Sequence, residues 1–441
     1  MKLKSSTNYY RIVISTALPM VLASLLHVSL QFANTYFMGH DPFPSIYIFS
    51  LFLPFSFLLI SFTECVSISN QVIVAKKTGE QSLEETPAIA LNMMAVGLIL
   101  TGITALLVFL TGNRLSMFFE VPPQHQTQFI HFSVGMILAT AFLIPARVLN
   151  GSLRGLGRVG ISFVIAAINT LIYFVLLYIF CTLWGWGLDG LIYATIIDGV
   201  LFTLSALFVL NRLGHFSFNR QLFAWRHETL LFLGIVGIPI MLSYLLIFGS
   251  TFFFNQIVSD FGTAAISGFG IAYRLQTFVI LPAIAFGSAI AILMNHRLGA
   301  EEPKEAFLIC RSGLITVFGV YLSLGFIIYF FRSPLIALFT NDALVIEEGV
   351  KFLNSVALTY SWMGVLLSLL VLMEETGDGA RAFVLNLTYF VLIVVVGWVL
   401  THRLGDIVWL YRTYAAFNCL GIGVIYRETM RLRRKYNNAG A

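Results

Sequence analysis

Twelve long apolar segments follow one another along this 441-residue chain, and few charged residues interrupt them. A helix needs roughly 20 apolar residues to cross the hydrocarbon core of a bilayer. Charged residues make up only 11% of the chain, whereas soluble proteins carry about 25%. The pattern therefore predicts an all-α integral membrane protein. The predicted spans are residues 12–38, 46–74, 85–111, 127–149, 160–184, 188–211, 230–258, 263–294, 306–331, 347–373, 380–401 and 406–426.

Basic residues are concentrated in every second connection between these spans. If the amino terminus is cytoplasmic, the cytoplasmic connections hold most of the basic residues, including Lys76, Lys77, Arg154 and Arg158. The even number of spans then returns the carboxyl terminus to the same side. We therefore expect a multi-pass protein of the cytoplasmic (inner) membrane with both termini in the cytoplasm. This topology also accounts for the net charge of +5, so no nucleic-acid partner is predicted.

An internal repeat relates the two halves of the chain, because similar features recur at one constant offset in the numbering. Each half contains six spans, so both halves enter the membrane in the same orientation. We therefore predict two pseudo-symmetric six-helix lobes around a central cavity, in which the repeated prolines have structural roles. The recurring features are Pro19 with Pro239, Gly157 with Gly377, and KTGE at 77–80 with RLGA at 297–300.

The predicted domain order follows from this repeat. Residues 1–212 form an N-terminal lobe, 213–228 a cytoplasmic linker and 229–429 a C-terminal lobe, and 430–441 form a basic cytoplasmic tail. Two similar lobes can rock around the cavity and open it to either side in turn. We expect a monomer, because the cavity lies within one chain.

At these residues the chain resembles the multidrug and toxic compound extrusion (MATE) family. The resemblance extends over nearly the whole chain and adds several short segments to the repeat. It implies a V-shaped cavity between the lobes and export of amphipathic, often cationic organic compounds, driven by inward flow of protons or sodium. The matching segments are NTYFMG at 34–39, QVIVA at 71–75, LNGSLRGLG at 149–157 with Asn169, GWGLDG at 185–190, and AYR at 272–274 with Pro282.

The chain departs from the family at the positions that usually carry coupling acids. Many relatives have an acidic residue in the first span, where this chain has Asn34, and a second in the fifth span, where Tyr173 stands. Another branch has acids in spans seven and ten, near Ile247 and Gly364 here. The family's coupling ion therefore cannot be transferred directly to this chain.

Three ionisable residues deep inside predicted spans of the N-terminal half are our candidates for cation coupling. His27 shares a helical face with Gln31 and Asn34, which follow at +4 and +7, and imidazole changes charge near neutral pH. Glu64 lies in the second span and Asp198 near the middle of the sixth. Ionised side chains are costly in hydrocarbon, so such residues face a cavity, pair or stay neutral. We predict a coupling site formed from these five residues, with protons favoured over sodium.

Other residues are assigned more simply. Arg274 is predicted to be structural, at an interface between helices. Glu374, Glu375 and Asp378 are interpreted as a solvated cytoplasmic loop. Adaptable aromatic and methionine side chains suit amphipathic compounds. The substrate-cavity candidates are Met20, Phe32, Tyr36, Tyr173, Tyr244 and Phe248.

No enzyme or nucleotide motif was found. The sequence lacks Walker A, HExxH and GxSxG motifs. Its four cysteines are isolated in apolar segments, so no cofactor, metal site or disulfide is expected beyond the coupling ion. Two alternatives to an antiporter agree less well with the sequence. A lipid-linked precursor flippase of the same superfamily is disfavoured by the lack of an arginine cluster, and a non-transporting membrane structural protein by the matched repeat.

Overall fold

The computed structural model describes residues 6–41, 45–214, 225 and 227–438. Within these residues it consists of helices and short connections, and eleven helices are long and apolar enough to cross a membrane. Most of the predicted linker 213–228 and the last three residues of the tail lie outside the described residues.

Seven helices make up the described part of the first half of the chain. Proline in the first turn begins α3, α4 and α5, where the missing N–H has no helical partner in any case. The helices are α1 (Ser6–His40), α2 (Ser45–Leu51), α3 (Leu53–Gly79), α4 (Thr86–Phe118), α5 (Pro123–Gly155), α6 (Val159–Leu177), which continues into a π-helical turn (Tyr178–Leu183), and α7 (Gly187–Arg212).

Nine helices make up the second half, from residue 227 to residue 438. The last of them, α16, is the twelfth predicted span; it contains Arg412 and ends in basic residues, which explains why its mean hydropathy is lower. The helices are α8 (His227–Phe232), which leads through a π-helical turn (Leu233–Gly237) into α9 (Ile238–Ser259), α10 (Thr263–Gly299), α11 (Pro303–Phe330), α12 (Arg332–Ala337), α13 (Ala343–Val356), α14 (Tyr360–Met373), α15 (Gly379–Leu404) and α16 (Val408–Asn438).

The predicted repeat is visible in the backbone. Three of the left-handed backbone positions in the first half have a counterpart with a similar φ angle at the repeat-related position of the second half. At two of the three, glycine provides this conformation without a steric penalty. The pairs are Gln81 (57°) with Glu301 (59°), Gly157 (74°) with Gly377 (91°), and Gly185 (65°) with Gly405 (70°).

The chain divides into two compact units, residues 22–244 and residues 1–21 with 245–441. The beginning of α1 therefore belongs to the unit formed by the second half, where the Tyr9 hydroxyl donates to Glu305 at the start of α11. In the other unit, Gly237 before α9 packs against Ser69 and Cys65 of α3. Pro19 lies inside α1, two residues before the boundary between the units.

Small residues allow the helices within each unit to approach closely. A Cβ atom on Gly151 of α5 would lie 2.6 Å from the carbonyl oxygen of Ser67 on α3. In the repeat-related contact of the second half, the glycine is on the other helix: Gly287 of α10 packs against Val371 of α14, where a Cβ atom would lie 2.8 Å from the valine Cβ. The two halves therefore keep the same close contact with the small residue exchanged.

Candidate functional site

A cavity of about 270 Å³ lies within the unit 22–244, and it is lined by residues of α1, α2, α3, α5, α6 and α7. All five residues predicted for cation coupling line it, together with one of the aromatic candidates. The structure thus brings together side chains from four helices that are far apart in sequence. They are His27, Gln31 and Asn34 of α1, Glu64 of α3, Tyr173 of α6 and Asp198 of α7.

The polar face of α1 is tied to α6 and α7 through Tyr173. The buried Tyr173 hydroxyl donates to Asn34 Oδ1 at 3.0 Å and lies 3.4 Å from the hydroxyl of Thr195 on α7. Asn34 and Tyr173 occupy the two positions at which many members of the family that this chain resembles carry acids. Here a neutral hydrogen-bonded pair fills them, so the acidic groups of the cavity must come from other positions.

Asp198 is the most enclosed acid of the cavity, with 9% of its surface exposed. Its Oδ1 atom accepts no hydrogen bond from the described residues. A buried carboxyl oxygen without a partner is costly, and binding a proton or a cation relieves that cost. Asp198 therefore has the properties needed of a group that exchanges a cation.

Arg147 of α5 also lines the cavity, and it is not among the residues predicted from the sequence. The predicted fourth span ends at residue 149, two residues after this arginine. In the structure α5 continues to Gly155, so Arg147 lies about two turns before the end of the helix. Among the described residues, no carboxylate lies within 4 Å of its guanidinium. The detectable signal was an arginine just after Pro145, within an apolar segment.

The other predicted substrate residues do not line this cavity. On α1, Phe32 and Tyr36 are exposed, and the ring centroids of Tyr36 and His40 are 4.2 Å apart. Tyr244 packs on a small apolar cluster that includes Val236 and Ile240. Met20 and Phe248 belong to the other unit, where Met20 is buried.

The described residues of the second half hold no charged counterpart of the cavity. The repeat places Asn418 at the position equivalent to Asp198, and Asn418 is fully buried and accepts a hydrogen bond from the Tyr389 hydroxyl. The Asn418 side-chain amide also donates to Thr359 Oγ1 at 2.8 Å. This network is neutral, so the position equivalent to Asp198 carries no ionisable group in the second half. Arg274, predicted to be structural, is exposed on α10.

The acidic residues at the end of α14 are largely buried, so their interpretation as a solvated loop is wrong. One of them, Asp378, belongs to an ion-paired cluster with α16. Glu374 and Glu375 are 3% and 0% exposed. Asp378 accepts hydrogen bonds at 2.9 Å from Arg431 and from Lys435 of α16. The basic end of α16 therefore pairs with Asp378 and offsets its charge.

A fully buried carboxylate, Glu428, completes this cluster. It accepts two hydrogen bonds of 2.8 Å from Arg381 at the start of α15, one of 3.1 Å from Arg427 and one of 3.4 Å from Arg431. Burial alone would raise the pKa of Glu428, but the arginines outweigh it and lower the pKa below its usual value. These charges attach the end of α16 to the start of α15.

Comparison with known proteins gives consistent results. A model of the MatE family matches residues 19–179 and 239–399, and these two matched segments are related by the same offset that links Pro19 to Pro239. A probable multidrug resistance protein, YpnP of Bacillus subtilis, is 24% identical over 95% of this chain and 92% of its own length. The multidrug export protein MepA of Staphylococcus saprophyticus is 23% identical over 89% of this chain and 88% of its own.

Solved structures share the fold. A point mutant of the Vibrio cholerae MATE transporter VcmN superimposes with a TM-score of 0.92 at 19% identity and covers 99% of both chains. A superfamily transporter from Pyrococcus furiosus, whose binding pocket is described as having reverse polarity, gives a TM-score of 0.86 at 16% identity over the full length of both chains. At these identities the agreement concerns the fold alone.

Proposed function

Since this chain belongs to the MatE family of multidrug efflux transporters, we propose that it is a cation-coupled antiporter that exports amphipathic, mainly cationic organic compounds. Protons are favoured over sodium as the coupling ion. The proposed coupling site is the cavity of the unit 22–244, with Asp198 and Glu64 as the exchanging carboxyls. His27, Gln31 and Asn34 complete its polar lining.

The observation that carries this proposal is the enclosed carboxyl of Asp198, whose Oδ1 has no described partner, in a cavity shared with Glu64 and His27. Protonation removes the charge of a carboxyl and with it the cost of enclosing it. A proton can thus favour one conformation of the transporter over the other, and this differential binding is what couples its flow to export. Sodium prefers several oxygen ligands. The amide and carboxyl oxygens of this cavity are ligands of that kind, so sodium is the alternative coupling ion.

The remaining features of the proposal concern the setting of this site. The protein acts as a monomer in the cytoplasmic membrane with both termini inside, and its two lobes open the substrate pathway to either side in turn. The lobes correspond to residues 1–212 and 229–429. Phe32, Tyr36, Tyr244, Phe248 and Met20 stay predictions for the substrate pathway.

Dye transport in proteoliposomes tests the coupling site. A cationic fluorescent dye is followed under an imposed pH gradient and then under an imposed sodium gradient. We expect the pH gradient to drive transport by the wild type, and Asp198→Asn and Glu64→Gln to abolish it. Asp189→Asn is the matched control, because it makes the same change on α7 at a residue whose side chain is 54% exposed.

Two results would overturn the assignment. Wild-type transport that responds only to sodium would exclude proton coupling. Proton-driven transport that survives both cavity substitutions would remove the coupling role from these carboxyls. If neither gradient moves the dye, the lipid-flippase alternative gains support over drug export.

A further inference from the structure

The guanidinium of Arg147 is a permanent positive charge in the proposed coupling cavity. Arginine is not deprotonated in proteins, unlike the other ionisable groups there. The backbone carbonyl of Arg147 accepts a 2.9 Å hydrogen bond from Ser67 of α3, which fixes this turn of α5 against α3. Arg154, two turns later, donates to the same Ser67 hydroxyl at 3.0 Å. These contacts fix the backbone of α5 at Arg147, and this residue lines the cavity.

The charged and titratable groups that face the cavity form a short set. They are His27 from α1, Glu64 from α3, Arg147 from α5, Tyr173 from α6 and Asp198 from α7, whereas α2 contributes only apolar lining. Arg147 shares this cavity with both Asp198 and His27. The cavity thus contains two carboxyls and one permanent cation. An unbalanced charge is costly within a membrane protein, so the arginine requires one ionised carboxyl.

We propose that Arg147 is the built-in counter-cation of the coupling cavity, which keeps one of its two carboxyls ionised and so limits the exchange to one proton per transport cycle. With one carboxylate and one protonated carboxyl the cavity is neutral. Loss of the remaining proton gives it one net negative charge. This inference rests on the proposed proton coupling, and it adds the stoichiometry and the residue that sets it.

Removal of the arginine has a consequence that a purely structural role would not produce. In Arg147→Gln the cavity loses its permanent positive charge, so ionisation of either carboxyl leaves a net negative charge there. The midpoint of the pH profile of dye transport should therefore rise by about one pH unit or more, the usual effect of a nearby opposite charge. Arg147→Lys keeps the charge and should keep the wild-type profile. Arg158→Gln, at an exposed position just before α6, is the matched control.

A double substitution provides the sharper test. In Glu64→Gln alone, Asp198 becomes the permanent partner of Arg147, so no proton is exchanged near neutral pH and transport is lost. In E64Q/R147Q both the partner and the second carboxyl are gone, and Asp198 again carries one exchangeable proton. We expect the double variant to recover proton-driven transport that the E64Q variant lacks.

The experiment measures dye flux and proton flux together in proteoliposomes of the full chain between pH 5 and 9, with elution profile and thermal stability recorded for each variant. The inference predicts one proton per dye in the wild type, a raised midpoint in R147Q and recovery in E64Q/R147Q. Two or more protons per dye, or a folded R147Q variant with the wild-type profile, would overturn it. The wild-type ratio tests the inference even if R147Q does not fold. Absence of proton-driven flux in the wild type would instead remove the proposed function itself.

Discussion

Replacement of Glu428 by Gln should destabilise the attachment of α16 more than any exposed charge change. Glu428 is fully buried and receives the two 2.8 Å hydrogen bonds of Arg381 as well as those of Arg427 and Arg431. Glutamine keeps the shape of the side chain but not its charge. Three guanidinium groups would then share a site from which the central anion has been removed.

The size of the effect follows from the exposure of the partners. Removal of one member of a buried ion pair costs about 3–5 kcal/mol. The side chains of Arg381, Arg427 and Arg431 are 41%, 65% and 34% exposed, so water screens part of the resulting repulsion. We therefore expect Glu428→Gln to lower the free energy of unfolding by roughly 2–4 kcal/mol. Arg381→Gln should cost less, because Glu428 keeps two arginines.

These differences in the free energy of unfolding are measured by titrating the purified protein in detergent with a denaturing surfactant. The double variant E428Q/R381Q should cost less than the sum of the single changes, because both remove the same contact. Glu347→Gln is the control: its side chain is 62% exposed and it makes only a surface pair with Lys351, worth at most about 1 kcal/mol. A Glu428→Gln variant as stable as the Glu347→Gln variant, or strictly additive costs, would refute the reasoning.

Two further predictions concern stability. Burial would raise the pKa of Asp378, but Lys435 and Arg431 outweigh it and lower the pKa, as the arginines do for Glu428. Because the pKa values of both carboxyls are lowered in the folded state, their contribution to the stability of the fold is complete above the unfolded pKa values of about 4 and is lost as the pH falls below them. The melting temperatures of the wild type and the E428Q variant should therefore converge on acidification. A gap between them that stays constant would contradict this. Gly155→Ala should lower the free energy of unfolding by about 1–3 kcal/mol, because its Cβ would lie 2.6 Å from the Gln71 carbonyl oxygen. A Cβ at Gly160 meets no atom within 4 Å, so Gly160→Ala should be neutral in the same unfolding assay. Equal effects of the two substitutions would count against close α3–α5 packing.

The sequence was sufficient to predict the fold, because long apolar segments indicate the membrane spans and regularly spaced glycines and prolines indicate the repeat. The polar face of α1 was also readable, since His27, Gln31 and Asn34 follow helical spacing. The burial of Glu374 and Glu375 was not, because it depends on packing against segments distant in sequence, such as α10, from which Asn295 donates to the backbone carbonyl of Glu375. Arg147 was missed for a related reason: its position depends on how far α5 extends beyond the apolar segment, and hydropathy does not define helix ends.

Proton counter-flow is the most direct test of the account as a whole. Proteoliposomes that contain a pH-sensitive dye and the wild-type protein are given a gradient of a cationic substrate and no initial pH difference. We predict that substrate movement drives protons in the opposite direction, and that Asp198→Asn abolishes the pH change while Asp189→Asn preserves it. Substrate movement by the wild type without any proton counter-flow would contradict the account.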